Sequence, residues 1–408
     1  MIQRTILEKI KETIRIKPVT VITGARQVGK STLCKVLKDE LGFDYVSFDD
    51  RRELQTAKSD PLLFVKSHKI PLIVDEVQKC PELFSEIERV VNEKKFEGED
   101  NSGMFVLTGS QAFNLMQGVS ESMAGRVGII TLLPLSAREV AGECDTPFVV
   151  DPGRPNSIGS DLTMDGLYKR IVTGFFPEIY DKKLTDIEQF YNDYVTTYIE
   201  RDVSQILAIK DKLKYQRFME LLASCVCEEV VYDRMALSIG ISTKTAQEWT
   251  SSLVASGIIR LLEPFFENSI TKRVVKRPKL IFNDTGLAAF LSGLSNSEVL
   301  KRSRFNGHFV ENYIINEIIK SYNNSGKYAR FYYYRDSSQS EIDLIVLSDG
   351  MLNLIECKAG IQYSASDIKS FSKLSGSAYP VFSSGIVCLT DKPYLLSGDS
   401  FAVGLHSI

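Results

Sequence analysis

The chain has 408 residues, 44% of them hydrophobic and 25% charged, with a formal net charge of −3. This length exceeds that of a single hydrophobic core, so we expect two to four domains. The low net charge excludes a nucleic-acid surface spread over the whole molecule, and no apolar run approaches the roughly 20 residues that cross a bilayer. Seven scattered cysteines and three histidines show no zinc spacing, which favours a reducing cytoplasm. Residues 1–10 predict an amphipathic helix without a signal-peptide core.

Short apolar runs alternate with helical patterns from residue 1 to about residue 140. This alternation is typical of a parallel β-sheet that is covered by helices on both faces. The predicted strands span residues 19–23, 45–48, 71–74, 105–108 and 129–133. We therefore expect an α/β domain over residues 1–140.

Residues 24–32 read G-A-R-Q-V-G-K-S-T, directly after the first predicted strand and before a predicted helix. They match the pattern G-x-x-x-x-G-K-[ST], whose glycines let successive backbone N–H groups and the helix N-terminus surround phosphates. Lys30 would reach the β- and γ-phosphates, and the Ser31 hydroxyl would complete a Mg²⁺ shell. The predicted nucleotide-binding residues are Gly24, Ala25, Arg26, Gln27, Val28, Gly29, Lys30, Ser31 and Thr32.

The apolar run at residues 71–74 ends in two acids, Asp75 and Glu76, about 45 residues after the phosphate-binding loop. Asp75 would hold Mg²⁺ through water, and Glu76 would polarise the attacking water. An adjacent glutamate indicates the catalytic-glutamate division of P-loop proteins, as opposed to kinases and small GTPases.

Three further residues are candidates for contacts with the reacting phosphate. The strand at 105–108 runs into Gly109-Ser110-Gln111, and in this division such a strand lies between the two strands already described. Ser110, or alternatively Thr108, would then sense the γ-phosphate. Arg126 and Arg201 would neutralise charge in the transition state, from the same chain or from a neighbouring subunit.

The central part of the chain predicts a linker and a helical lid over residues 141–212 and a small domain over residues 213–292. In the small domain the patterns predict helices at 215–225, 233–239 and 243–255, then strands at 258–262 and 280–282. Three helices followed by a hairpin resemble a winged helix-turn-helix.

Two surfaces of this small domain are candidate DNA contacts. On the presumed outer side of the third helix lie Ser242, Thr243, Lys244 and Gln247, and the segment 272–279 has five basic residues in eight. Such a run would neutralise phosphates, although a solvated turn has the same composition and winged helices also pack against protein inside ATPases. The predicted DNA-binding residues are Lys244, Gln247, Lys272, Arg273, Lys276 and Arg277.

From residue 293 to residue 408 the patterns predict a third α/β domain, with a helix at 305–321, an aromatic strand at 331–334 and a hairpin of strands 342–347 and 351–358. Pairing of the hairpin strands would bring Asp343, Glu356 and Lys358 together beside an apolar core. Buried acids must be paired or bound to a hard cation such as Mg²⁺ or Mn²⁺.

This order resembles the D…E-x-K arrangement of restriction-endonuclease-like nucleases. The resemblance implies that Asp343 and Glu356 bind a second divalent metal, that Glu311 supplies a further acid, and that Lys358 positions water. The alternative is a salt-bridged hairpin without a metal.

Taken together, these features resemble a bacterial and archaeal family of AAA-type P-loop ATPases with a central winged helix and a C-terminal restriction-endonuclease-like (PD-(D/E)XK) domain. The resemblance covers nearly the full chain and implies ATP and Mg²⁺ binding, homo-oligomers, and association with duplex or branched DNA. It rests on residues 24–32, 72–78, 107–111, 124–127, 134–136, 174–178, 199–203 and 276–286, and on the three nuclease-type elements.

The sequence therefore predicts a cytoplasmic, Mg²⁺-dependent ATPase of AAA type that binds DNA and couples the state of its nucleotide to DNA remodelling or signalling. Two alternatives stay open. One is an ATP-controlled, metal-dependent DNA nuclease, and the other is a nucleotide switch that recruits a protein partner. Cleavage of plasmid or junction DNA would favour the first, and ATP hydrolysis that ignores every DNA would favour the second.

Overall fold

The computed structural model of the protein describes residues 2–109, 123, 125–155, 162–198, 211–266 and 277–408. The chain divides into two compact units, which we call the N-terminal unit (residues 4–134 and 255–257) and the C-terminal unit (residues 1–3, 135–254 and 258–408). The predicted boundary at residue 140 lies close to the division after residue 134, whereas the predicted boundaries at 212 and 292 both fall within the C-terminal unit. Among the helices in the described ranges, none combines the length and the hydropathy needed to cross a membrane.

A five-stranded parallel sheet forms the centre of the N-terminal unit, in the order β2-β3-β4-β1-β5. Strands β1, β3 and β4 are buried along their whole length, which explains why they appear in the sequence as continuous apolar runs. Each of the five strands begins and ends within two residues of the position that the sequence predicts. The strands are β1 (Val19–Thr23), β2 (Asp44–Ser47), β3 (Leu72–Asp75), β4 (Phe105–Gly109) and β5 (Val127–Thr131).

Helices pack against this sheet through apolar side chains spaced three or four residues apart. In α5, for example, Leu83, Ile87 and Val91 lie on one face and are buried in the core. A single 3₁₀ turn, Val77–Lys79, follows β3. The helices are α1 (Leu7–Ile16), α2 (Lys30–Leu41), α3 (Arg51–Ser59), α4 (Pro61–Ser67) and α5 (Leu83–Phe96).

In the C-terminal unit, the residues described between 135 and 198 form four helices that precede the predicted small domain. They are α6 (Ala137–Val140), α7 (Met164–Thr173), α8 (Pro177–Asp181) and α9 (Ile187–Tyr198). Three helices and a hairpin follow in the predicted order, and Trp249 packs edge-on against Tyr215 and Phe218. These elements are α10 (Lys212–Ser224), α11 (Tyr232–Ile239), α12 (Thr243–Ala255), β6 (Ile259–Pro264) and β7 (Lys279–Phe282).

An eight-stranded sheet extends through the rest of this unit, in the order β12-β13-β11-β10-β9-β8-β6-β7. The hairpin β6–β7 belongs to this sheet because Glu263 and Pro264 of β6 pair in parallel with Tyr332 and Tyr333 of β8. Sequence patterns had placed the hairpin and the later strands in different domains. The remaining strands are β8 (Arg330–Arg335), β9 (Glu341–Ser348), β10 (Met351–Cys357), β11 (Val381–Cys388), β12 (Tyr394–Ser397) and β13 (Ser400–Gly404).

Helices α13 (Thr285–Leu291), α14 (Ser297–Arg302) and α15 (Asn306–Asn324) complete the unit, together with a 3₁₀ segment at Ala365–Leu374. The buried Asp284 caps α13 and accepts hydrogen bonds from the backbone N–H groups of Leu287 (2.8 Å) and Phe175 (2.6 Å) and from the Tyr191 hydroxyl (2.7 Å). A Cβ at Gly174 would lie 1.9 Å from that hydroxyl, so glycine is required there. Asp284 therefore ties two distant parts of the sequence signature, 174–178 and 276–286, to each other.

Candidate nucleotide-binding site and carboxylate cluster

The loop between β1 and α2 has the backbone geometry that a phosphate-binding loop needs. Gly24, Gln27 and Gly29 all have φ in the left-handed region, at 147°, 61° and 99°. A Cβ at Gly24 would lie 2.2 Å from the carbonyl oxygen of Leu132, which explains the first glycine of the pattern. Helix α2 begins at Lys30 without a side-chain cap from Gly29, so its first N–H groups and its positive dipole end fit an anion.

Lys30 is held above this loop. Its side chain is buried, and its ammonium donates to the carbonyl oxygens of Gly24 (2.9 Å) and Ala25 (2.8 Å). The next two residues, Ser31 and Thr32, are exposed. A fixed cation therefore lies next to an accessible hydroxyl, and the phosphate and Mg²⁺ contacts of these residues stay predictions.

Asp75 lies at the same edge of the sheet. It ends β3, which neighbours β4, and β4 in turn neighbours β1, whose carboxyl end leads into the loop. The Asp75 carboxylate is 2% exposed and accepts hydrogen bonds from the hydroxyls of Tyr45 (2.9 Å) and Thr108. Burial, together with the Asp75 charge, raises the pKa of Tyr45 well above its usual range, so this phenol remains a donor.

Glu76 follows β3 with φ of 59°, a left-handed conformation that turns the chain sharply after Asp75. Its N–H donates to the Thr108 hydroxyl (3.4 Å), and its carboxylate accepts from the side-chain amide of Gln78 (2.5 Å). Thr108 therefore links Asp75 to Glu76, and its contact with the γ-phosphate stays a prediction. The other candidate, Ser110, lies outside the described residues.

Sequence reasoning missed Tyr45 and Gln78 as members of this network. The only signal for Gln78 in the sequence was its position as a polar residue two places after Glu76; the structure buries it, at 8% exposure, in the turn Val77–Lys79. For Tyr45 the sequence held no signal, since its contact with Asp75 depends on the parallel pairing of β2 with β3.

Arg126 lies near the amino ends of the strands of the same sheet, opposite the carboxyl ends where the loop and Asp75 lie. It precedes β5, whose first residue Val127 pairs with Val19, so five strand positions, or roughly 16 Å, separate it from the loop. Its guanidinium lies 3.0 Å from the Glu88 carboxylate and donates to the Asn92 side chain at 3.0 Å. This placement opposes a role for Arg126 within its own chain. Arg201, the other candidate, lies outside the described residues.

The predicted DNA contacts are placed less completely. Lys244 and Gln247 on α12 and Ser242 just before it are exposed, as expected, while Thr243 donates to Asp233 (2.7 Å). Lys272, Arg273 and Lys276 lie outside the described residues, and Arg277 is exposed. Lys279 corrects the expectation of a uniformly basic surface segment, because its side chain is only 3% exposed and is paired with two carboxylates.

In the C-terminal unit, Lys358 brings the hairpin acids together as the sequence predicts. Its ammonium lies 2.7 Å from the Glu356 carboxylate and 3.4 Å from that of Asp343. Asp343 also accepts from the backbone N–H of Cys357 at 2.8 Å. Burial and the neighbouring Asp343 charge raise the pKa of Glu356, and the same two acids outweigh burial and raise the pKa of Lys358.

Glu311 on α15 has a different partner from the one expected. Its carboxylate lies 2.7 Å from the ammonium of Lys279, which also lies 2.6 Å from Glu341. Burial raises the pKa of Glu311, although the lysine opposes that rise. No group of three or more acidic, histidine or cysteine side chains within the described ranges is arranged to hold a metal ion. Because the three predicted ligands are already bonded to ammonium groups, they do not fit a second divalent metal in this arrangement.

Three sequence families match separate parts of the chain. Residues 16–141 match the AAA domain family, residues 164–298 match a domain of unknown function (DUF8612), and residues 306–408 match another domain of unknown function (DUF4143). The first match covers β1 to β5 and thus every described residue of the candidate nucleotide site.

Among curated relatives, uncharacterized proteins of Mycobacterium bovis and Mycobacterium tuberculosis are each 26% identical over 351 residues, which is 85% of this chain and 72% of theirs. Among solved structures, a Walker-type ATPase of Pyrococcus abyssi aligns with a TM-score of 0.39 and 14% identity, over 70% of this chain and 94% of that one. The Holliday junction branch migration motor RuvB of Thermotoga maritima aligns with a TM-score of 0.28 and 14% identity, over 62% and 88% of the two chains.

Proposed function

We propose that this chain, an AAA-type P-loop ATPase, binds DNA and couples the state of its nucleotide to DNA remodelling or signalling, with Mg²⁺ as its cofactor. One observation supports the catalytic half above all others. Lys30, Asp75 and Glu76 lie at the same edge of one sheet, and hydrogen bonds fix the backbone or side chain of each.

The residues of the loop would bind and orient ATP. The N–H groups at the start of α2 and the Lys30 ammonium would contact its phosphates, and Ser31 and Asp75 would hold Mg²⁺, Asp75 through water. When bound, Mg²⁺ would offset negative charge on the phosphate oxygens. Tyr45 and Thr108 would keep the Asp75 carboxylate fixed, since both hydroxyls donate to it.

Glu76 would accept a proton from the attacking water. Two hydrogen bonds orient it. Its backbone N–H donates to the Thr108 hydroxyl, and the side-chain amide of Gln78 donates to its carboxylate. A water-activating carboxylate needs this kind of orientation because general-base catalysis depends first on geometry.

The DNA half of the proposal rests on α12 and on the start of β7. The exposed side chains Lys244 and Gln247 share one face of α12, opposite the buried Ala246 and Trp249, and the exposed Ser242 directly precedes the helix. Such a face offers hydrogen bonds to phosphates and base edges, and the exposed Arg277 adds a second positive group. We also propose a homo-oligomer, in which Arg126 would act on the nucleotide of a neighbouring subunit.

The test is the rate of ATP turnover by the full chain without DNA and with single-stranded, duplex and four-way DNA. We expect at least one DNA form to change the rate several-fold, with Glu76→Gln as the control for contaminating ATPases. If turnover is the same with every DNA, the coupling proposal fails and the switch that recruits a protein partner is favoured.

A metal-dependent DNA nuclease is the second candidate, and one observation favours it. Asp343, Glu356 and Lys358 converge in the order and spacing of the nuclease pattern. A second divalent metal would need Glu311 together with Asp343 and Glu356. Cleavage of supercoiled plasmid with Mn²⁺, and its loss in Asp343→Asn, would support this activity.

A further inference from the structure

Lys279 is the first residue of β7 and comes from the part of the chain in which we expected a basic surface. Its backbone pairs with Leu262 of β6, while its side chain is directed into the C-terminal unit. There the ammonium lies 2.7 Å from Glu311 on α15 and 2.6 Å from Glu341 at the start of β9. It also lies 5.3 Å from the centre of the Tyr333 ring.

These contacts are those of a cation site. Two carboxylates from different elements converge on one positive charge. The ammonium therefore occupies carboxylate oxygens that a metal ion at Glu311 would need.

We propose that Lys279 is the resident cation of the carboxylate cluster, which consists of Glu311, Glu341, Asp343 and Glu356, and that it excludes a divalent metal from Glu311. The hairpin β6–β7 thereby keeps these acids free of metal. A divalent ion needs the carboxylate oxygens that the ammonium occupies, and two cations at that site would repel each other in a poorly solvated environment. Metal binding and the Lys279 contact are mutually exclusive.

This inference deepens the second candidate function and rests on it for its consequence, which is that any cleavage requires Lys279 to leave the cluster. Its core claim concerns metal binding alone. It is tested without DNA and without nucleotide, so its failure is distinct from a failure of ATP hydrolysis or of DNA binding.

The experiment measures the rise in melting temperature with Mn²⁺ for the full chain and for the variants Lys279→Met, Glu311→Gln and Lys279→Met/Glu311→Gln. We expect the parent and Glu311→Gln to respond equally, because Glu311 is not available to the metal in the parent. Lys279→Met is expected to melt earlier without metal and to gain several degrees more than the parent when Mn²⁺ is added. The double variant is expected to lose that gain.

The matched control is Lys320→Met. Lys320 is as deeply buried as Lys279 and forms an ion pair of 2.8 Å with Glu317, on the same helix as Glu311. It is expected to melt earlier as well, but without any additional response to Mn²⁺. If Lys279→Met responds to Mn²⁺ no more than Lys320→Met does, or if the parent already shows a response that Glu311→Gln removes, Lys279 does not exclude the metal.

Lys279→Met has the further risk that it does not fold. In that case the number of Mn²⁺ ions bound by the parent and by Asp343→Asn, from the electron paramagnetic resonance of free Mn²⁺, decides the question. Equal numbers support exclusion by Lys279. One more ion in the parent overturns it.

Discussion

The two charged sites of this protein hold their charges in opposite ways. At the nucleotide site, the Lys30 ammonium is bonded to backbone carbonyl oxygens, and the Asp75 carboxylate is bonded to two hydroxyls. In the C-terminal cluster, Lys279 and Lys358 are each bonded to two carboxylates. Carbonyl and hydroxyl dipoles orient a charged side chain without neutralising it. A bound counter-ion, in contrast, removes most of the attraction of that side chain for a charged ligand.

The two sites therefore differ in their ability to bind a charged ligand without displacing a counter-ion. The contacts described for Lys30 and Asp75 are with backbone and hydroxyl dipoles, which orient both groups towards phosphate and Mg²⁺, so the nucleotide site is organised for a charged ligand. The ion-paired acids of the cluster have their counter-ions already, and a metal must displace one. The comparison therefore predicts larger functional effects at the first site and larger stability effects where buried ions are paired.

The largest expected effect is on ATP turnover. Glu76→Gln keeps the shape of the side chain and its contact with Gln78 but removes the proton acceptor, so turnover should fall by about 10²- to 10⁴-fold while ATP affinity is kept. Steady-state kinetics and calorimetry measure the two quantities. Glu82→Gln changes an exposed acid six residues away and should leave both unchanged. Hydrolysis at the parental rate in Glu76→Gln would remove this residue from the role of base.

Much of the nucleotide site could be predicted because its determinants are local in sequence. The glycines, Lys30 and Ser31 lie within nine residues, and the strand before them is recognisable from its apolar run. Asp75 and Glu76 follow a second such run. What the sequence could not provide was Tyr45, whose partner is 30 residues away and depends on strand pairing.

The cluster shows the opposite limit. The basic segment at 272–279 is typical of a solvated surface, and nothing local distinguishes Lys279 from its neighbours. Its two partners are 32 and 62 residues further along the chain. Pairing of β6 with β8, and of β8 with β9, brings Glu341 to Lys279, while α15, which bonds to β7 through Asn312, supplies Glu311. Patterns of hydrophobicity carry no information on such long-range contacts.

The second effect is on stability and tests the claim about paired ions. Lys320→Met leaves Glu317 buried without its counter-ion, so the free energy of unfolding should fall by about 3–5 kcal/mol. Thr108→Val removes one hydrogen bond to the Asp75 carboxylate and should cost about 1.5–3 kcal/mol. Urea denaturation measures both variants.

A third variant makes this comparison sharper. Glu317→Gln/Lys320→Met removes both charges, and the glutamine oxygen can still accept from the N–H of Ala137, as Glu317 does at 2.6 Å. The double variant should recover at least half of the loss. If it is no more stable than Lys320→Met, the ion pair is not the source of the cost.

The third effect is on the affinity for ATP. Lys30→Ala removes one charge-assisted contact with phosphate, which is worth about 1.5–3 kcal/mol. The dissociation constant for ATP should therefore rise roughly 10- to 150-fold. Lys35→Ala removes an exposed lysine from the same helix and should change nothing. Calorimetry with a slowly hydrolysed ATP analogue measures both. Equal affinity in the parent and in Lys30→Ala would contradict the assignment of the loop.

The smallest effect concerns DNA, where the charges are exposed and screened by salt. Lys244 and Arg277 are both solvent-exposed, so each would contribute mainly by releasing counter-ions from phosphates. In Lys244→Ala/Arg277→Ala the negative slope of log affinity against log salt should become shallower by up to about 0.9 for each lost contact, with little dependence on DNA sequence. The matched control is Lys182→Ala/Arg302→Ala, in which an exposed lysine and an exposed arginine, each beside a glutamate, are removed from other helices. Both variants lose two positive charges, so a general effect of net charge would change the two slopes equally. A smaller slope in the first variant alone would assign the contact to α12 and the start of β7, and equal slopes in the two variants would place it elsewhere.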